Sequence, residues 1–282
     1  MNLYLIVVLL IFILVSFYLK LRLSNKNRVK IQRQGLLNIK GLKQLICFIQ
    51  QHRGMTAAYL NGKKEVLPKI TLIRRDIQEN IKKSEITFSK DNERWQGFLD
   101  HWQRLGTGSV GSSADNSFDQ HTQLIRNLLY LLEDEAEKGL LFSQFLPQFP
   151  QAGYVWREVI GVTEVVGQAR AIGVGVATQK ICSSTDNIRL SFLQQQMSEV
   201  IKTVLHQLYC LPQYLDEHNR LIKITQDLTE VFLSTVDQDF LSADKITLDQ
   251  QVYFEQASLV IQSIDDVFQH QLMQISNSLD VN

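Results

Sequence analysis

Two arginines interrupt stripes of apolar residues, and their side chains are the strongest candidates for chemistry in this sequence. Between residues 42 and 60, Leu and Ile recur every three or four positions, as on the buried face of a helix, and Arg53 lies on that stripe. Arg170 interrupts a second stripe, of Val and small residues, between residues 155 and 181. Because burying an unpaired charge is costly, each guanidinium needs an anionic partner.

The two arginines have similar neighbours along the chain. Each lies in a Gln-x-Arg-small frame, QHRG from Gln51 and QARA from Gln168. No carboxylate lies three or four positions from either arginine, where it would share the same helix face. Two interpretations remain open at this point. Both arginines bind an exogenous anion, or each pairs with a carboxylate from a distant helix, for example Glu133, Asp265 or Asp266.

The elements that position these arginines are predicted to be helices. The chain contains 4 prolines, and its apolar residues recur at intervals of three and four rather than alternating. FLPQFPQ (145–151) divides the body into halves of about four helices each, and a flexible linker is expected at 106–117. The fold class is therefore all-α, with two abutting four-helix bundles. We expect helices at about 35–61, 66–88, 91–105, 117–145, 152–180, 186–210, 213–236 and 247–278.

Residues 1–23 have the composition of a transmembrane anchor. Residues 3–19 carry no charge, and counting on to residue 23 gives the roughly 20 residues that span a bilayer core. A cleaved secretory signal is the alternative, but the charged start and the small-residue cleavage site of such a signal are absent. Several Lys and Arg residues follow the span between residues 20 and 33, so the positive-inside rule predicts a cytoplasmic body.

The charge distribution defines the other boundaries and excludes one class of function. Residues 24–35 form a basic juxtamembrane segment, and residues 36–282 form the helical domain, with halves of about 36–146 and 151–282. No Asp or Glu precedes Glu65, whereas acidic side chains are in excess from there on. A nucleic-acid binder would instead carry a basic folded face. We therefore expect a single-pass protein of the inner (plasma) membrane, with the lipid bilayer as a partner and no nucleic acid.

Three segments resemble the nitrate- and nitrite-sensing (NIT) domains of bacterial receptors and regulators. QQHRGMTAAYLNGK (50–63) is similar to the family's Arg-Gly signature, and GQARAIGVGVA (167–177) to its Gln-x-Arg-Ala element. VYFEQASLVIQSIDDV (252–267) resembles the family's aromatic segment and the Ile-Asp that follows it. The resemblance covers about residues 36–275. It departs from the family pattern at His52, where members often carry Glu, and at IRRDIQ (73–78).

The resemblance implies two four-helix bundles side by side, with nitrate or nitrite held between them by Arg53 and Arg170. Family members feed kinases, chemoreceptor signalling domains, cyclases or RNA-binding antiterminators, whereas only SNSLDVN follows the sensory region here. We therefore expect a membrane-anchored anion sensor or binding module without an output domain, which signals through a separate, unidentified protein; a homodimer is an option. The alternative function is a ligand-free, membrane-anchored helical scaffold or protein-interaction module whose arginines are paired internally.

The sequence contains no pattern for catalysis, a cofactor or a metal ion. The 6 histidines are scattered, and the 3 cysteines, Cys47, Cys182 and Cys210, lack metal-ligand spacing. We expect these cysteines to be reduced core thiols. Phosphate-binding loops, nucleophile elbows and kinase signatures are also absent. We therefore expect neither an enzyme nor a cofactor-binding or metal-binding protein.

Overall fold

The protein is all-α, as the spacing of its apolar residues predicts. The computed structural model describes residues 3–85, 88 and 92–280, and no strand occurs in these ranges. Long helices form almost the whole of the described chain, joined by short turns. The helices are α1 (Leu3–Leu60), α2 (Leu67–Glu85), α3 (Glu93–Gly108), α4 (Ala114–Lys138), α5 (Ala152–Gln179), α6 (Ser184–Thr203), α7 (Leu215–Val236) and α8 (Gln250–Asp280). Helix α5 includes a π-helical turn at Val155–Val159.

The helices pack into two groups in chain order. Helix α1 packs on α2 and α4, and α3 packs on α4. In the second group α5 packs on α6 and α8, and α7 also packs on α6 and α8. Helices α1, α5 and α8 meet along the seam between the groups, and one continuous hydrophobic core runs through both. The residues around the predicted divider, 139–151, form the turns that connect α4 to α5.

The predicted linker at 106–117 is shorter and more ordered than its Gly and Ser content indicates. Helix α3 continues to Gly108, and a single 3₁₀ turn, Ser109–Gly111, follows it. Helix α4 then begins at Ala114, because the side chain of Ser113 caps it by accepting a hydrogen bond from Asn116 N at 3.2 Å. The connection is therefore a tight turn that holds α3 against α4.

Helix α1 joins the predicted anchor to the first helix of the body without a break. In the first part of α1, the large apolar side chains that the structure describes are all exposed. They are Phe12, Ile13, Phe17 and Leu23. Met1, Asn2 and most side chains of residues 3–19 lie outside the described part of the chain. The hydrophobicity of the expected anchor therefore rests on the sequence.

Packing against the body begins inside the segment that the sequence assigns to the juxtamembrane region. Gln32 is buried, and its Nε2 donates to Leu140 O and Phe145 O, both at 3.2 Å. Arg33 forms an exposed ion pair with Asp280 at the end of α8. The last residues of the 24–35 segment thus belong to the folded domain, since their polar groups are bonded to it.

In the described part of the chain, α5 is the one helix that is long and apolar enough to cross a bilayer. The mean hydropathy of an 18-residue window in α5 is 1.3, but 56% of that window is buried inside the protein. A core helix has the same composition, because it contacts apolar neighbours on several sides. The packing of α5 against α1, α4, α6 and α8 accounts for its hydrophobicity.

Gly35 allows α1 to approach the end of α4 closely, which gives a test of the packing. A Cβ at Gly35 would lie 2.7 Å from Gly139 Cα and 3.1 Å from Leu141 Cδ1, whereas a Cβ at Gly41 would meet nothing within 4 Å. We expect Gly35→Ala to destabilise the protein by about 1–3 kcal/mol through overpacking. The matched control Gly41→Ala should stabilise it by about 0.5–1 kcal/mol, since Ala is the better helix former. Denaturant unfolding of the full-length chain measures both; equal stability of the two variants would contradict the close approach.

Candidate functional site

Arg53 is buried and paired with Glu164, a carboxylate of α5. Its Nη1 lies 2.6 Å from Glu164 Oε1 and its Nη2 lies 3.0 Å from Glu164 Oε2, so the ion pair is bidentate. Arg53 is 1% exposed and Glu164 is 5% exposed. Gly167, one turn after Glu164, leaves room for the guanidinium, because a Cβ there would lie 3.0 Å from Arg53 Nη2. This pair joins α1 to α5 across the seam.

The polar atoms of this ion pair have additional hydrogen bonds. Gln50 donates to Glu164 Oε2 at 2.9 Å, and Gln168 donates to Glu164 Oε1 at 2.9 Å. Arg53 Nη1 also donates to Thr122 Oγ1 at 3.1 Å, which brings α4 into the network. Full hydrogen bonding of this kind is what allows a buried ion pair to offset the cost of removing its charges from water.

Arg170 has different surroundings and no carboxylate within salt-bridge distance among the described residues. Its Nη1 donates to Ser258 Oγ at 2.9 Å, and its guanidinium carbon lies 4.9 Å from the centre of the Phe254 ring. Burial, and next the charge of Arg53, lower the pKa of Arg170 from 12.5 to about 10. Arg170 therefore remains charged at neutral pH, and its partners in α8 are a hydroxyl and an aromatic ring.

A cavity of about 330 Å³ lies between α1, α5 and the start of α8, and both arginines line it. Its volume exceeds that of a small anion, so it has room for an anion with several water molecules. Gln50, Gln51, Gly54, Asn61, Ala171, Thr178, Gln250 and Phe254 form part of its wall. The arginines that the sequence singles out therefore do meet at one site.

Among the described residues, the cavity wall contains four cationic side chains and no acidic one: Arg53, Arg170, Lys63 and Lys69. Glu164 neutralises Arg53 from behind the wall. The charges of Arg170, Lys63 and Lys69 have no acidic partner within salt-bridge distance in the described part of the chain. The cavity is therefore electropositive, and an anion is the ligand that it favours.

Tyr253 determines how α8 lies on α5 beside the cavity. Its ring packs directly on Gly173, where any Cβ would overlap it, and its hydroxyl donates to Ala169 O at 2.9 Å. Burial raises the pKa of Tyr253 far above its usual value, so the hydroxyl keeps its proton and remains a donor. The adjacent residue, Phe254, is thereby held under the Arg170 guanidinium.

The carboxylates considered as partners in the sequence analysis bind elsewhere. Glu133 pairs with Arg157, Asp265 pairs with Lys43, and Asp266 accepts a hydrogen bond from Gln262. The two arginines differ in their pairing, because Arg53 has an internal carboxylate partner and Arg170 has none within salt-bridge distance among the described residues. Sequence reasoning missed Glu164, although a lone acid in the apolar run VIGVTEVVG is itself a signal of a buried cation.

A second ion pair crosses the seam nearer the N-terminus of α1. Lys43 Nζ lies 2.6 Å from Asp265 Oδ1 of α8, and the same ammonium donates to Cys47 Sγ at 3.1 Å. Lys43 is 4% exposed. Although burial lowers the pKa of Lys43, the charges of Cys47 and Asp265 outweigh it and raise that pKa overall, so the lysine stays protonated. Helix α1 is thus joined by buried charges to both α5 and α8.

His52, beside Arg53, belongs to a buried chain of hydrogen bonds. Arg74 Nε donates to His52 Nε2 at 3.1 Å, His52 Nδ1 lies 2.7 Å from His121 Nε2, and His121 Nδ1 lies 2.6 Å from Ser117 O. Burial is the main cause that lowers the pKa of His52 to about 2 and that of His121 to about 3. Both imidazoles are therefore neutral and carry their proton on Nδ1. His52 donates to His121 Nε2, and His121 donates to Ser117 O.

No protein-family model matches this chain, and no curated protein matches it. Among solved structures, the chain is similar to that of the NasR transcription antiterminator, with a TM-score of 0.68 and 15% sequence identity. The alignment covers 95% of this chain and 74% of that chain. At this identity the likeness shows a shared helical fold.

The unequal pairing of the two arginines predicts unequal effects on stability. Arg53→Ala leaves Glu164 buried without its cation, so we expect a loss of about 3–5 kcal/mol in the free energy of unfolding. Arg170→Ala leaves no carboxylate unpaired and should cost less than about 1.5 kcal/mol. Denaturant unfolding of the full-length chain without added anion measures both.

A double-mutant cycle of Arg53→Ala with Glu164→Ala checks the cause. The double variant should lose less stability than the two single variants added together, because neither partner is then left alone. Two results would contradict a stabilising role for the Arg53–Glu164 pair. One is a double variant whose loss of stability equals the sum of the two single losses, and the other is a larger loss for Arg170→Ala than for Arg53→Ala.

Proposed function

We propose that this chain is a membrane-anchored sensor or binding module for a small anion, nitrate or nitrite, and that it signals through a separate protein. The observation that carries the proposal is the cavity between α1, α5 and α8, whose described wall has four cationic side chains and no acidic one. Arg170, held against Phe254 and Ser258, supplies the uncompensated charge.

The two arginines contribute differently to anion binding in this proposal. Arg170 is the main ligand, since its guanidinium offers a planar set of N–H donors that fits the planar oxygens of nitrate. Arg53 uses Nη1 and one hydrogen of Nη2 for Glu164 and Thr122, which leaves its Nε–H and a second Nη2–H without a partner among the described residues. Those hydrogens supply the second contact from the opposite wall. Lys63 and Lys69 attract the anion to the cavity.

Anion binding would change the relative positions of α1 and α5. Without the anion, burial and next the charge of Arg53 lower the pKa of Arg170, and the charge of Glu164 offsets only part of the effect of Arg53. A bound anion would turn this repulsion into a bridge and favour a closer packing of the two helices. Since α1 is continuous from Leu3 to Leu60, such a movement would reach the N-terminal segment as a shift of one rigid helix.

The same proposal includes two four-helix bundles, formed by α1–α4 and α5–α8, and an N-terminal anchor that leaves the body in the cytoplasm. The uncharged run at 3–19 and the basic residues that follow it support the anchor. The NIT resemblance supports the ligand class. The fold shared with the NasR transcription antiterminator supports a place among regulatory proteins.

The bidentate pair between Arg53 and Glu164 favours a second candidate function. A ligand-free, membrane-anchored scaffold needs its buried arginines paired internally, and Arg53 meets that condition. Arg170 does not meet it in the described part of the chain, because its partners are Ser258 and Phe254. The response of the protein to anions distinguishes the two functions.

We expect nitrate or nitrite to raise the melting temperature of the full-length chain in detergent, and chloride at the same ionic strength to raise it less. Arg170→Ala should weaken anion binding by about 1.5–3 kcal/mol, the contribution of a charge-assisted hydrogen bond. Calorimetric titration and thermal unfolding measure these effects.

Arg157→Ala is the matched control for the anion experiment. Arg157 lies on the same helix, and its guanidinium carbon is 5.4 Å from the Phe142 ring, but it does not line the cavity. Its variant should keep the full anion response. A wild-type chain whose melting temperature ignores nitrate and nitrite, or an Arg170→Ala variant that still responds, would favour the scaffold.

The topology can be tested separately with reporters fused after Asn282. A reporter that is active only in the cytoplasm should be active, and one that is active only in the periplasm should be silent, because basic residues follow the expected span. Replacing Lys20, Arg22, Lys26, Arg28 and Lys30 with Gln, as a control, should weaken this preference. Periplasmic activity of the unchanged sequence would refute the proposed orientation.

A further inference from the structure

Three side chains of types that can ligate a metal ion meet near the end of α8 that lies away from the cavity. Cys210 lies in the connection between α6 and α7, His218 in the first turn of α7, and His270 in the last third of α8. One nitrogen of each imidazole and the Cys210 sulfur lie within 4.8 Å of one another. His270 follows Phe254 by 16 residues, which is about 24 Å along a helix. The cluster is therefore separate from the anion cavity.

Each of the two histidines has one buried nitrogen without a partner. Among the described residues, no hydrogen-bond partner reaches His218 Nδ1 or His270 Nε2, and both atoms are inaccessible to solvent. Each histidine is 6% exposed, and the two rings stack with their centroids 5.8 Å apart. Leaving such a nitrogen unpaired costs free energy, so two of them beside a thiol indicate a ligand that accepts lone pairs.

A metal cation is the ligand that fits this set of donors. Neutral imidazole nitrogens and a thiolate sulfur are the ligands that Zn²⁺ prefers. Tetrahedral zinc needs ligand atoms about 3.3–3.6 Å apart, a contraction that rotation of three side chains can supply.

We propose that Cys210, His218 and His270 form a zinc site, with the Cys210 thiolate and one nitrogen of each imidazole as ligands and water in the fourth position. Zinc binding releases the thiol proton to solvent. The sequence gives no sign of this site, because the three ligands are separated by 8 and 52 positions.

The neighbouring contacts prepare the site for a metal ion. Gln274, one turn after His270, accepts a hydrogen bond from Leu211 N at 2.8 Å and so fixes the backbone beside Cys210 to α8. Gln271 donates to Tyr209 O at 3.2 Å on the other side of Cys210. Zinc would then join the connection between α6 and α7 to α8, close to the end that pairs with Arg33.

The test uses the full-length chain in detergent, stripped of metal with a chelator and titrated with Co²⁺. We expect one equivalent of Co²⁺ per chain to produce a thiolate-to-cobalt charge-transfer band, and Zn²⁺ to remove it by displacement. The band should be absent in Cys210→Ser and retained in the matched control Cys182→Ser, whose thiol lies in the same half of the protein but outside the cluster. Mutating a residue that only hydrogen-bonds a metal ligand typically lowers metal affinity roughly 10–100-fold. Removing a ligand itself should lower it more, so we expect His218→Gln or His270→Gln to weaken zinc binding at least about 100-fold.

Alkylation followed by mass spectrometry gives a second measurement that needs no variant. Zinc should protect Cys210 from alkylation in the wild-type chain and leave the reactivity of Cys182 unchanged. A wild-type chain without the cobalt band, a band that persists in Cys210→Ser, or equal alkylation of Cys210 with and without zinc would overturn the proposal.

Discussion

The buried ion pair between Arg53 and Glu164 is the interaction on which the arrangement of this protein depends. Each charge would be prohibitively costly alone in the core, so α1 and α5 are compatible only in a position that brings the two together. Gln50, Gln168 and Thr122 complete the hydrogen bonding of the pair and hold it in one geometry. The second pair, Lys43 with Asp265, ties α1 to α8 in the same way. Apolar packing stabilises each group of helices, and these charges align one group with the other.

The electrostatics of the cavity follow from this pairing. Because Glu164 is engaged by Arg53 behind the wall, it is not available to Arg170. Arg170 instead contacts an aromatic ring and a hydroxyl, and its charge acts on the cavity. The two arginines therefore differ despite their similar sequence frames: Arg53 forms an ion pair across the seam, and Arg170 is the main ligand in the proposed anion site.

Helix α8 connects the two sites proposed for this protein. Phe254 and Ser258 near its start contact Arg170, and His270 near its end joins the cluster with Cys210 and His218. An unbroken helix transmits displacement along its axis, so a change at the cavity would alter the position of α8 at the opposite end. Ligands at the two sites would then influence each other through the same element.

Much of the architecture is contained in the local sequence. Apolar residues at intervals of three and four determine the helices, Pro147 and Pro150 mark the divider, and the charged positions Arg53 and Arg170 stand out on their stripes. These features can be read from one sequence because they depend on neighbours within a few turns. Only the tertiary structure decided that Glu164 pairs with Arg53 alone, that packing has begun by Val29 within a continuous α1, and that Cys210 meets two distant histidines. Such contacts depend on how helices cross and rotate against one another, and residues far apart in the chain determine those angles together.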